Sequence, residues 1–185
     1  MKKIILIVVI NCLFSEKILI PMDISQTNHL KSYGIAFTEL TNGKSIDWLL
    51  NYRGGSFLLD ESPTITNECV LRGVYFEKIN ASVLSNIYAE IEEKNMDIVL
   101  LEKTPKIAVY SPPDRQPWDD AVTLALTYAE IKYDVIFDDE ILNDELSDYD
   151  WLHLHHEDFT GQYGKFYKNY KNAKWYKKME YDFGL

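Results

Sequence analysis

Three of the chain's four histidines, His153, His155 and His156, fall within four residues, and Glu157 and Asp158 follow directly. Imidazole and carboxylate at this density suit a divalent metal such as zinc, or catalysis. Successive side chains of a strand alternate between faces, so His153, His155 and Glu157 share one face and form the candidate metal set. Their spacing matches no specific metal motif. The plainer reading is a strand end whose histidines hydrogen-bond the adjoining loop and whose acids cap the next element.

A second group lies between Pro112 and Asp120. It follows an apolar stretch and opens a helical one, so Asp114, Arg115, Asp119 and Asp120 are placed to line the same crevice as the histidines. With His153, His155 and Glu157, the residues Asp114, Arg115 and Asp119 are the ligand-binding candidates. The backbone N–H groups of that helix start could hold an anion, although Asp119 and Asp120 also suit the helix dipole. Arg53-Gly54-Gly55-Ser56 permits close backbone approach, yet it carries no P-loop pattern and reads as a hairpin turn. No G-x-S-x-G, H-E-x-x-H or C-x-x-C occurs, so no catalytic residue is assigned from motifs. Cys69 sits in a helical context with ordinary neighbours and reads as a small buried apolar residue.

These residues need a scaffold, and the composition supplies one. The 185 residues are 46% hydrophobic and 14% aromatic, enough for a packed core. A net charge of -10 argues against a broad nucleic-acid footprint. Lys2 and Lys3 precede the apolar run Ile4 to Phe14, which is too short to span a bilayer and has the length of a secretory h-region. Residues 1–15 therefore read as a signal peptide, with cleavage before Glu16. The expected location is periplasmic or secreted, with no transmembrane span in the mature chain. A lipoprotein box ending on Cys12 is the lesser alternative.

Beyond the leader, strand-like and helical stretches alternate. Ile18 to Met22, Ile46 to Tyr52, Ser56 to Leu59, Val74 to Ile79 and Ile98 to Leu101 read as strands. Asn28 to Leu40, Pro63 to Arg72 and a stretch from Asn80 through Glu93 read as helices. After Thr104-Pro105 come strands at Lys106 to Tyr110, Tyr133 to Phe137 and Tyr149 to His155, with a helix over Pro117 to Ile131. Strands separated by helices point to βαβ units. The expected fold is α/β, with mainly parallel sheets and flanking helices in two small lobes, 16–104 and 105–185.

The last 27 residues differ in character. Phe159 to Leu185 carries six lysines, two acids and nine aromatics, a net +4 against -14 for residues 1–158. Lys165, Lys168, Lys171 and Lys174 recur every third residue. Such interleaving can bind nucleic acid or an acidic surface. A helix with its rings packed inward and its lysines solvated is the plainer expectation.

The blocks Ile18-Leu19-Ile20-Pro21-Met22-Asp23, Asp47 to Phe57, Gln116 to Leu124 and Tyr149 to Gly164 resemble a family of exported bacterial proteins carried under the name asparagine synthetase B. The resemblance covers nearly all of the chain after the leader. Family members are longer, so the chain is similar to their N-terminal part. From Lys106 onward it is more loosely similar to the flavodoxin-like fold of class I glutamine amidotransferases, which implies a truncated second lobe of that type. The family name implies an amide ligase. The ligase's N-terminal nucleophile cysteine and its S-G-G-x-D-S pyrophosphate loop have no counterpart here: Lys2 follows Met1, and Arg53-Gly54-Gly55-Ser56 lacks the serine and the aspartate. The expected function is accordingly that of an envelope protein binding a small ligand or a partner. A metal-assisted or amidotransferase-like hydrolase and the named synthetase are the alternatives.

Overall fold

The computed structural model describes residues 16–111, 120–154 and 162–183. The chain is a mixed α/β protein with two sheets, one of them parallel. Strand β1 (Lys17–Ile20) leads to helix α1 (His29–Thr41) and β2 (Ile46–Leu50). A tight turn at Tyr52–Gly54 then reverses the chain into β3 (Ser56–Asp60). Helix α2 (Pro63–Leu71), β4 (Glu77–Ile79), α3 (Ala81–Glu93) and β5 (Asp97–Leu101) complete a sheet of order β4-β1-β3-β2-β5.

Every neighbouring pair in this sheet is antiparallel. The expectation of mainly parallel sheets is therefore corrected for the larger one. The helices do link strands running the same way, β1 to β2 and β3 to β4, but each such pair has another strand inserted between its members. β3 enters between β1 and β2, and β1 lies between β3 and β4. The arrangement from β1 to β4 is the split βαβ, or ferredoxin-like, motif.

Alternation along the strands divides the core between the sheet's two faces. Ile18, Ile20, Ile46, Phe57 and Leu59 meet Ile35, Ala36 and Leu40 of α1 and Ile65 and Cys69 of α2 on one face. Leu19, Leu49 and Leu58 meet Ile87 and Ile91 of α3 on the other. Local signals start α1, α2 and α3. The side chains of Asn28, Ser62 and Asn80 accept hydrogen bonds from the N–H groups of Lys31, Ile65 and Val83, satisfying first-turn donors.

The second sheet is built from β6 (Ile107–Tyr110), α4 (Ala121–Ala129), β7 (Asp134–Ile136), the short α5 (Asp138–Leu142) and β8 (Trp151–Leu154). Its order is β7-β6-β8, and both pairings are parallel, as expected for this half of the chain. Helix α4 packs against α1 at Gly34, where a Cβ would lie 1.8 Å from the carbonyl oxygen of Ala129. Glu130, just past α4, accepts from Lys31 Nζ at 2.6 Å and lies 3.1 Å from Arg72 Nη2. The chain then forms a helical hairpin, α6 (Gln162–Tyr170) and α7 (Lys174–Phe183). Among the described residues no helix is long and apolar enough to cross a membrane.

Candidate functional site

The parallel sheet brings two candidate segments to one edge. β6 and β8 are neighbours, with Val109 opposite His153 and Tyr110 opposite Leu154. β6 runs into the buried Ser111, whose N–H donates to the Ile136 carbonyl at 3.0 Å. The chain returns to this edge at Asp120, the N-cap of α4. One Asp120 carboxylate oxygen accepts from the Thr123 N–H at 2.7 Å. The other lies 2.9 Å from His153 Nε2. A carboxylate accepts, so in this contact His153 donates through Nε2–H to Asp120. The side chains of His153 and Asp120 are 18% and 10% exposed, so the pair is largely shielded yet reachable.

This position has topological meaning. β6 is the central strand. The connection through α4 goes to β7 on one side, and the connection through α5 goes to β8 on the other. Connections that leave in opposite directions open a crevice at the strands' carboxyl ends, which is where open α/β sheets bind ligands. The His153–Asp120 pair lies at that switch point. On the β7 side of the same edge, Tyr110 stacks on Phe137 with ring centroids 5.2 Å apart. Its hydroxyl donates to an Asp138 carboxylate oxygen at 2.6 Å.

The described residues thus join His153 of the histidine group to Asp120 of the second group. Asp114, Arg115, Asp119, His155 and Glu157 lie outside the described residues. Among the described residues no cluster of three or more His, Cys, Asp or Glu side chains is arranged to hold a metal. Cys69 is fully buried on α2, and burial pushes its thiol up to about 12, which fits the expected packing role.

A further polar cluster escaped sequence reasoning. The Arg53 guanidinium donates through Nε to Asp23 at 2.7 Å, through Nη1 to Glu77 at 2.8 Å and through Nη2 to Ser25 Oγ at 3.1 Å. The Ser25 hydroxyl donates in turn to Asp23. The Arg53 guanidinium, with the Ser25 hydroxyl next in weight, holds the Asp23 carboxyl well down, at about 2. Arg53 lies in the reversal between β2 and β3, as the hairpin reading of Arg53-Gly54-Gly55-Ser56 anticipated. Its partners stand 30, 28 and 24 residues away, so no local pattern announces them. All three of Arg53's nitrogens are occupied by protein partners, and the cluster ties the reversal to the end of β1 and the start of β4.

Comparison of the chain with protein-family models, with curated proteins and with solved structures finds no match.

Proposed function

We propose that this is an exported α/β protein of the cell envelope that binds a small polar ligand over the carboxyl ends of β6 and β8, and that it belongs to the family carried under the name asparagine synthetase B. The observation that carries the binding reading is the His153–Asp120 pair at 2.9 Å on the switch point of the parallel sheet. The pair offers a ligand an imidazole nitrogen, Nδ1, that the Asp120 bond does not use. The order β7-β6-β8 has the 2-1-3 pattern with which flavodoxin-like doubly wound sheets begin. It supports reading 105–185 as the beginning of a flavodoxin-like lobe and 16–104 as a separate first lobe. Among the described residues the five-stranded sheet begins at Lys17, just past the proposed cleavage before Glu16.

The experiment is a thermal-shift and histidine-NMR titration of the purified chain with small carboxylates, amides such as glutamine and asparagine, and zinc. A carboxylate or amide that raises the melting temperature and moves the His153 signals, with both effects lost in His153→Ala, is the expected result. Titrations that leave the His153 signals unmoved for every compound would remove the reading.

The same pair favours a hydrolase as second reading, because a histidine oriented by a carboxylate is the base half of a nucleophilic site. Release of ammonia from glutamine by the purified chain, abolished in His153→Ala, is what that reading requires.

A further inference from the structure

We propose that the α6–α7 hairpin is a docking surface for an anionic phospholipid bilayer. The inference rests on residues 162–183 and does not depend on the crevice at β6 and β8. On α6, Phe166, Tyr167 and Tyr170 share one helical face, and Lys165, Lys168 and Lys171 lie on the opposite side. On α7 the division repeats, with Trp175, Tyr176 and Met179 against Lys174, Lys177 and Lys178. The two aromatic faces meet. Tyr170 and Phe166 approach Trp175 with centroids 5.5 and 6.0 Å apart, and Tyr167 approaches Tyr176 at 6.0 Å.

Two short helices cannot enclose such a layer. No described side chain from Gly164 to Asp182 is buried. Phe166, Tyr167, Tyr170 and Trp175 stay 42–51% exposed, and Tyr181 is 89% exposed. The hairpin is therefore an open row of rings flanked by lysines, with six lysines against two acids in a chain whose total charge is -10. The lysines are solvated as the plainer sequence expectation had it, and the rings face each other but are only partly covered.

The chemistry that completes this surface is apolar just below a negatively charged layer. Tyr and Trp carry an apolar body and a polar tip, which suits the headgroup boundary. Lysine stems lie along apolar surface while their ammonium groups reach outward to phosphate. Each lysine near an anionic leaflet strengthens binding roughly fivefold. Single-stranded nucleic acid is the rival partner, but bases need free ring faces on which to stack. Here the neighbouring rings are tilted 50–75° to one another, so they form no parallel ladder on which successive bases could stack.

The test is sedimentation of the full chain with phosphatidylglycerol or phosphatidylcholine vesicles at 0.15 M salt, with tryptophan emission as a second readout. Binding to phosphatidylglycerol should exceed binding to phosphatidylcholine at least tenfold, and should shift the emission to the blue. Trp175→Ala should lose the shift. The triple variant Lys165→Gln, Lys168→Gln, Lys171→Gln should bind about 100-fold more weakly. All three lysines are solvent-exposed, so that variant should keep its circular dichroism spectrum. Tyr181→Ser, at the most exposed ring, should weaken binding without disturbing the ring contacts. Equal binding to both lipids, binding to neither, full affinity in the triple variant, or preference for single-stranded RNA at the same salt would each overturn the proposal.

Discussion

Gly54 and Gly73 both adopt left-handed backbone, with φ of +84° and +67°, yet only Gly54 is hemmed in. A Cβ there would sit 2.4 Å from the Met22 carbonyl oxygen, whereas at Gly73 nothing lies within 4 Å. An alanine at Gly73 meets only the backbone penalty of about 1 kcal/mol. At Gly54 a clash with main chain adds to it, for a total of about 3 kcal/mol. Urea denaturation of Gly54→Ala and Gly73→Ala should separate the two costs, and equal midpoints would refute the close approach. Asp23 sits in the same corner and gives a pH signature. Its carboxyl falls from 3.8 to about 2 on folding, chiefly through the Arg53 hydrogen bond. A lowered folded value means stabilisation that is complete above about pH 4 and lost as pH drops toward 2. The stability gap between the wild type and Asp23→Asn should therefore widen from pH 2 to pH 4. A gap that stays constant across that window would show that the ion pair contributes nothing.

At the scale of elements, α1 and α4 meet through a glycine. In an exposed helix Gly34→Ala would stabilise by about 1 kcal/mol through helix propensity. Against the Ala129 carbonyl at 1.8 Å it must push the helices apart, a cost of roughly 3 kcal/mol that outweighs the gain. A net loss of about 2 kcal/mol by urea denaturation is expected, and a variant as stable as the wild type would place α4 elsewhere. Helices α1 to α4 were legible in the sequence, because caps and apolar spacing act within a few residues of where they are read. Helix α5 instead read as an acidic turn, and the α6–α7 hairpin as one helix. Asn28, Pro63 and Asn80 each mark a start, with Ser62 supplying the cap ahead of Pro63. The neighbours of the first sheet's strands were not legible. Periodicity says that Ile18 to Ile20 is extended, but not that β3 rather than β2 lies beside it. The site divides in the same way. Parallel neighbours at β6 and β8 were expected, and their pairing is what brings His153 to the edge where Asp120 starts α4. The Arg53 cluster did not follow from anything local, since its partners come from two other segments of the chain.

Across the whole molecule, charge is unevenly shared. The +4 of Phe159 to Leu185 opposes the -14 of all that precedes it. Added salt should therefore weaken any contact the hairpin makes with an acidic surface, while leaving the apolar core between α1, α2 and the five-stranded sheet untouched. The parallel sheet is small, and the proposed ligand site rests on where its strands end. The larger sheet carries the stability, with α1 and α2 on one face and α3 on the other.

The order of that larger sheet leaves β5 at its border. Among the described residues β5 pairs with β2 alone, and its Ile98 and Leu100 are exposed. A border strand with apolar side chains in solvent is a template onto which another chain can zip. Among the described residues only the Ile98 N–H of β5 is held by a side chain, that of Asp97 at 2.8 Å. In concentrated solution, copies of the protein should clump through this border, and light scattering should rise with concentration. Leu100→Lys, a gatekeeper charge on an already exposed position, should raise the solubility ceiling without altering the fold. Scattering that the lysine leaves unchanged would direct attention to a different sticky surface. If the lysine raises the ceiling, the border of the sheet, five residues long, is what sets how crowded this molecule can be before it precipitates.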